Sequence, residues 1–267
     1  MSFPRKKIQK LIEKALRNKI NNFNPESGSK PIHDRLLGQD RMNLFSIIHS
    51  INTTIGASIY EPVAKQIAKS HFEKVDIQVG LSGKFTTGAQ EEISAIVREL
   101  SLKSVTPNHA SELKRIRSKC KSGGTLTKKM TVVDLHIMDG NNYFLIDIKT
   151  AKPNIGATQN FKQTALEWMA TKLFENPKAN VRPVIGIPYN PYHPEPYDRW
   201  TMKDYFEISE QGQLLVGREF WNFISGGEDI YDQLLECFEV VGKKMRREID
   251  RFVAKNQETH PHRDVFN

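Results

Sequence analysis

TVVDLHIMDGNNYFLIDIKTAK, residues 131–152, reads as two short strands joined by a tight turn. The first strand, Val132 to Met138, is apolar and β-branched. The turn is Asp139-Gly140-Asn141-Asn142, in which Asp-Gly supplies the positive-φ residues that a sharp reversal needs. The second strand runs from Tyr143 to Lys149. Side chains alternate faces along a strand, so Asp147 and Lys149 point one way and Phe144, Ile146 and Ile148 the other. Asp134 shares a face with His136 on the first strand. The hairpin is therefore expected to bring Asp134, Asp147 and Lys149 together.

Two carboxylates and an amine on an otherwise apolar hairpin need a physical reason. Burying charge without partners is costly, and adjacent carboxylates repel unless a cation lies between them. Mg²⁺ suits this donor set, because it is held by one or two carboxylates together with water and phosphate oxygens. Lys149 then faces a phosphate or the attacking water. The plainer reading of Asp147 and Lys149 is a solvated strand face carrying a salt bridge. A second acid-x-Lys triplet, Glu112-Leu113-Lys114, lies in a polar run without strand character and is set aside.

The arrangement resembles the PD-(D/E)xK nuclease superfamily, whose pattern is an acid at the start of one core strand and acid-x-Lys on the next. Here the acid is Asp134, preceded by Val133 where the name has Pro, and the triplet Asp147-Ile148-Lys149 follows. More narrowly, Leu36 to Leu100 followed by DIKTAKPN resembles the TdeIII-type restriction endonucleases. The resemblance, most specific over Thr87 to Tyr189, implies an α/β core with a mixed central sheet flanked by helices. It implies Mg²⁺ held by Asp134 and Asp147, and products bearing 5′-phosphate and 3′-hydroxyl. It further implies a Type II enzyme, acting as a homodimer on a short GGNCC-like palindrome in double-stranded DNA. A methyltransferase would protect host DNA. In the superfamily a helix ahead of the active strands often adds an acid. Glu92 is the candidate, against ordinary first-turn helix stabilisation; Glu61 is the second, against capping or a salt bridge. Two other readings stay open: a structure-specific or repair nuclease with the same core, and a non-catalytic DNA-binding protein.

Charge agrees with a polyanionic partner. The 267 residues carry a formal net charge of +8, with an isoelectric point near 9.3. From Lys114 to Lys129 the chain holds Lys114, Arg115, Arg117, Lys119, Lys121, Lys128 and Lys129 and no acid. This reads as a mobile run beside the hairpin, able to position a duplex through its phosphates, or as a solvated loop. Lys152 follows the hairpin directly. Lys162, on a helix expected from Thr158 to Glu175, is a further phosphate-contact candidate beside a core-supporting role. Arg199, in the loop NPYHPEPYDRW, has the fork to read a guanine.

The rest of the chain supports one elaborated domain over residues 1–267. Its core spans about 75–190, with helical additions at 1–72 and 203–255. Residues 2–23 form a basic amphipathic helix, with Ile8, Leu11, Ile12, Ala15 and Ile20 as its apolar stripe. Val75, Ile77, Val79 and Leu81 alternate as a strand. Gly80 to Lys84 fails as a phosphate loop, having two residues between its glycines and Phe85 after the Lys. Thr87 and Gln90 form a capping-box pair ahead of Ile93, Ile96, Val97 and Leu100. The stripe Ile230, Leu234, Phe238, Val241, Met245, Ile249 and Phe252 marks a long helix that packs on its own core or between two protomers. Cys120 and Cys237 lack metal-type spacing and form no disulfide framework, which fits a reducing prokaryotic cytoplasm. No stretch approaches a membrane span.

Overall fold

A computed structural model describes residues 3–23, 31–149 and 155–258. In chain order the elements begin with helices α1 (Arg5–Asn21), α2 (Pro31–Leu37) and α3 (Gln39–Ile55). A π-helical turn (Gly56–Tyr60) leads into α4 (Glu61–Ala68). Strand β1 (Lys74–Thr86), helices α5 (Thr87–Ser101) and α6 (His109–Lys119), and strands β2 (Thr125–Asp139) and β3 (Asn142–Ile148) follow. The chain continues through α7 (Ile155–Glu175), β4 (Asn180–Ile187), α8 (Trp200–Lys203), β5 (Leu214–Val216), α9 (Arg218–Ile224) and α10 (Tyr231–Glu258). The described residues fall into two compact units: residues 64–231 in one, and those up to 63 together with those from 232 onward in the other.

The first unit is α/β. Its five-stranded mixed sheet has the order β1-β2-β3-β4-β5. The pairs β1–β2 and β2–β3 are antiparallel, and β3–β4 and β4–β5 are parallel. The expected hairpin is β2–β3. Asp139 pairs with Asn142 across a two-residue turn in which Gly140 has φ +56° and Asn141 does not enter the left-handed region, a type II′ pattern. Antiparallel neighbours can meet through such a turn, whereas parallel β3 and β4 need a crossover, and α7 provides it. Helix α7 lies against β1, β2 and β4, with α5 and α6 packed on it. A Cβ at Gly83 of β1 would meet Thr171 of α7 at 2.6 Å, so this close crossing requires glycine. Ile93, Ile96, Val97 and Leu100 of α5 recur at three- and four-residue spacing. They are buried with Leu113 and Ile116 of α6 and Leu166, Met169 and Leu173 of α7.

Several boundaries differ from the sequence reading. Both β1 and β2 run beyond the expected alternation, because Leu81–Thr86 pairs with Thr125–Thr131 across a register shift at Leu81/Gly83. The N-cap of α5 is Thr86 rather than Thr87: its Oγ1 accepts from Ala89 N at 3.1 Å, while Thr87 Oγ1 accepts from Gly124 N at 3.0 Å. The basic run is a loop only over residues 120–124, between α6 and β2. Lys114 to Lys119 belong to α6, capped by Asn108, whose Oδ1 accepts from Ser111 N at 2.8 Å. Pro62 sits in the first turn of α4, directly after the π-helical turn that links it without a break to α3.

The second unit is helical. Ile8, Ile12 and Ala15 of α1 are buried, as are Leu234, Cys237, Val241, Met245 and Phe252 of α10. Arg5 pairs with Glu236, Glu13 with Lys244 and Arg17 with Glu248. The constant sequence offset of these pairs shows that α1 and α10 run parallel. The apolar stripe of α10 is thus used within its own chain. Among the described residues no helix is long and apolar enough to cross a membrane.

Candidate active site

The hairpin register places Asp134 of β2 against the end of β3. Leu135 pairs with Ile146. One step on, Ile148 N donates to Asp134 Oδ2 at 2.8 Å, so the amide between Asp147 and Lys149 anchors the first acid. Lys149 Nζ lies 2.6 Å from Asp147 Oδ1 and 4.8 Å from the centre of the Phe161 ring on α7. An ammonium over an aromatic face is attracted by the ring quadrupole. Lys149 N donates to Gly186 O of β4 at 2.9 Å, which fixes the end of the triplet against the parallel strand. The three expected groups therefore converge.

Their electrostatics are those of a site short of positive charge. Asp147 is only 9% exposed. Burial pushes its carboxyl up and the Asp134 carboxylate beside it pushes the same way, against Lys149, to about 7. One ammonium does not neutralise two carboxylates, and near neutral pH a proton makes up part of the difference. A divalent cation would replace that proton. Two hard oxygen donors fit Mg²⁺, which keeps much of its water. Among the described residues no three His, Cys, Asp or Glu side chains gather in a metal-holding group.

Glu92 is not brought to the pair. Its carboxylate takes the Nε of Arg115 on α6, and Arg115 also holds Glu99 through Nη1 at 2.6 Å and Nη2 at 3.0 Å. A guanidinium that bridges two acids of α5 is a stronger local partner than a distant strand end. Glu61 is buried in the first turn of α4, in the helical unit.

Gln78 of β1 is a neighbour that sequence reasoning missed. Its Nε2 lies 3.4 Å from Asp134 Oδ1, and its φ is +53° although it sits mid-strand. A non-glycine residue held there costs about 1–3 kcal/mol. Alternation along β1 marks it only as a polar position.

The sequence model of Type II restriction endonuclease HinfI matches residues 4–242, most of the chain and all three converging groups. The chain belongs to the HinfI family of Type II restriction endonucleases. It is also similar to the Type II restriction enzyme MjaII of Methanocaldococcus jannaschii, 25% identical over 211 residues, which cover 76% of this chain and 56% of that protein. The chain thus spans little more than half the length of that curated relative.

In this HinfI-family chain most of the expected phosphate contacts have other occupations. Lys162 is wholly buried: Nζ bonds Glu112 Oε1 at 2.7 Å, Glu112 Oε2 at 2.6 Å and Gln213 Oε1 at 2.6 Å. Burial pushes Lys162 down and Glu112 up, so each stays charged only because the other is there. Lys128 is buried and paired with Glu167 of α7 at 2.8 Å. Arg117 donates to Pro177 O at 3.1 Å and Ala179 O at 2.8 Å, and Lys121 to Phe174 O at 2.7 Å. The last carbonyls of a helix lack intrahelical donors and carry partial negative charge, so Lys121 completes the end of α7, while Arg117 ties down the connection from α7 to β4. Arg115 is tied to Glu92 and Glu99. Lys162 and Lys128 are thus buried against acids, and Arg115, Arg117 and Lys121 hold acids or backbone carbonyls of their own unit. Lys114 and Lys119 are exposed on α6 and pair with no acid among the described residues. Arg199 is half-buried at the start of α8. Lys152 lies outside the described residues.

Proposed function

We propose that the chain hydrolyses phosphodiester bonds of double-stranded DNA as a Mg²⁺-dependent Type II restriction endonuclease with a PD-(D/E)xK site. The observation that carries this reading is the convergence of Asp134, Asp147 and Lys149 at the β2–β3 hairpin, in a chain of a restriction endonuclease family. Asp134 and Asp147 would hold the ion. When bound, it polarises the scissile phosphate, lowers the pKa of a water and offsets charge on the leaving oxygen. Lys149, kept close to Asp147 and against Phe161, orients the attacking water and supports the charge that grows on the phosphate oxygens. Water oxygen bonds to phosphorus and releases a proton, the bond from phosphorus to O3′ breaks, O3′ takes up a proton, and the products carry 5′-phosphate and 3′-hydroxyl. Lys114, Lys119, Lys152 and Arg199 are the cations proposed to meet DNA.

We infer that two protomers act on a palindrome, since a two-fold dimer mirrors a two-fold site, and that a methyltransferase protects host DNA. The GGNCC-like pattern that goes with a TdeIII-type likeness is the first sequence to test. Both compact units are read as parts of one nuclease domain. Digestion of a sequenced phage genome in Mg²⁺, with sequencing of the ends, tests the reading. Discrete fragments with one shared end motif are expected, and EDTA abolishes them. Smears or branch-dependent cuts point to a structure-specific nuclease, and duplex binding without cleavage to a non-catalytic protein. Parent-rate cutting by Asp134→Ala sinks the site assignment.

A further inference from the structure

Gln78 stands in β1 between Ile77 and Val79, which pair with Leu135 and Val133 on either side of Asp134. Its φ of +53° is a left-handed conformation inside a strand. Gly, Asn and Asp enter that region readily, and Gln does not. Such backbone persists only where its surroundings impose it, and it gathers at functional sites. The Gln78 side chain is exposed, so no gain in core packing accounts for the conformation. Local irregularities in strands beside active sites re-aim a side chain, and here the amide is aimed at an acid. Asp134 Oδ2 is taken by Ile148 N, and Oδ1 faces Gln78 Nε2 at 3.4 Å. That separation is long for a hydrogen bond. The amide therefore faces Oδ1 without saturating it, and Oδ1 stays able to accept a stronger partner.

We propose that Gln78 is a positioning residue of the cleavage site: its left-handed backbone holds its amide against Asp134 and fixes the orientation in which that carboxylate meets the divalent ion. This rests on the nuclease reading above. Side chains that orient metal-binding carboxylates are worth about 10–100-fold in metal affinity or activity.

Gln78→Gly removes the amide and supplies a residue that takes positive φ freely. Gln78→Asn keeps a shorter amide on a residue that tolerates the conformation. The full chain and both variants are compared by thermal melting, by calorimetric Mn²⁺ binding without DNA, and by plasmid cleavage at saturating Mg²⁺. The Gly variant is expected to melt at or above the parent. It should bind Mn²⁺ and turn over about tenfold or more worse, with KM for DNA within about twofold. The Asn variant recovers part of both losses. A Gly variant that binds Mn²⁺ and cuts as the parent does overturns the proposal, as does one that melts far below the parent. A parent that neither binds Mn²⁺ nor cuts any DNA overturns the nuclease reading and this proposal with it. Parent cleavage beside an unaffected Gly variant overturns this proposal alone.

Discussion

Replacing Lys162 by Ala separates two readings of one side chain. In the structure Lys162 Nζ makes three short bonds inside the α/β unit, two to Glu112 and one to Gln213, and Glu112 is 4% exposed. Removing the cation strands a buried carboxyl that burial already pushes up. Breaking a buried pair from one side costs about 3–5 kcal/mol. For a unit of this size each kcal/mol moves the melting midpoint by about 2–4 °C, so a loss of about 6–20 °C is expected. The assay is thermal melting at pH 7.5 beside duplex binding measured from 50 to 200 mM salt. A phosphate-contact lysine behaves differently: it shifts stability by about 0.5 kcal/mol or less and removes about 0.9 from the slope of log K against log[salt]. A Lys162→Met, Glu112→Leu pair regains much of the lost stability, since apolar replacement of both partners is often neutral. A Lys162→Ala variant that melts with the parent and loses that unit of salt slope refutes the buried-pair argument and restores the phosphate contact.

His109 gives a second test. Burial, with Arg182 and Lys162 nearby, holds it down at about 4, against 6.5 ordinarily. As pH falls the unfolded chain takes its proton first, so stability is intact above about pH 6.5 and declines toward pH 4 by about 3 kcal/mol. His109→Gln should flatten that part of a urea-unfolding series, and an equally steep decline in the variant counts against the assignment. Asp147 has the opposite sign: with its carboxyl raised from 3.8 to about 7, the folded state keeps a proton that the unfolded state has lost, and stability falls as pH climbs through that window. In EDTA at pH 8, Asp147→Asn is expected to melt no lower than the parent. In Mg²⁺ its cleavage should drop on the order of 10²–10³-fold or more, and parent-like turnover contradicts the role given to it. Arg117→Ala, which uncovers the Pro177 and Ala179 carbonyls, should lower stability by about 1.5–3 kcal/mol and leave the salt slope of DNA binding unchanged; a smaller slope returns Arg117 to the phosphate set.

The hairpin and the helices α5 and α7 were readable because their apolar spacing is strong and local. Helix α6 was not. Its buried positions include Glu112, which is apolar in effect only because Lys162 neutralises it from fifty residues away. The same long-range pairing hid Lys128, whose partner Glu167 sits on α7. The three-residue strand β5 is too short to show alternation, and it exists because Gly186 and Ile187 of β4 offer it a ladder. Asp134, Asp147 and Lys149 could be brought together from spacing alone. The fate of Glu92 could not, since Arg115 comes from a helix without a periodic signature.

Helices α1 and α10 belong to one unit while residues 64–231 intervene in sequence. On a ribosome, Ile8, Ile12 and Ala15 emerge long before Leu234, Val241 and Met245, the buried residues of the helix that pairs with theirs. At synthesis rates of about 5–20 residues per second, the first helix waits on the order of ten to fifty seconds for its companion. Until then its greasy side has only α3 and the π-helical turn of its own unit to rest on, while the intervening sheet gains its last strand, β5, just before α10 is made. The helical half is therefore the last to mature, and slowing translation before Asp232 should prolong its need for chaperones more than that of the sheet.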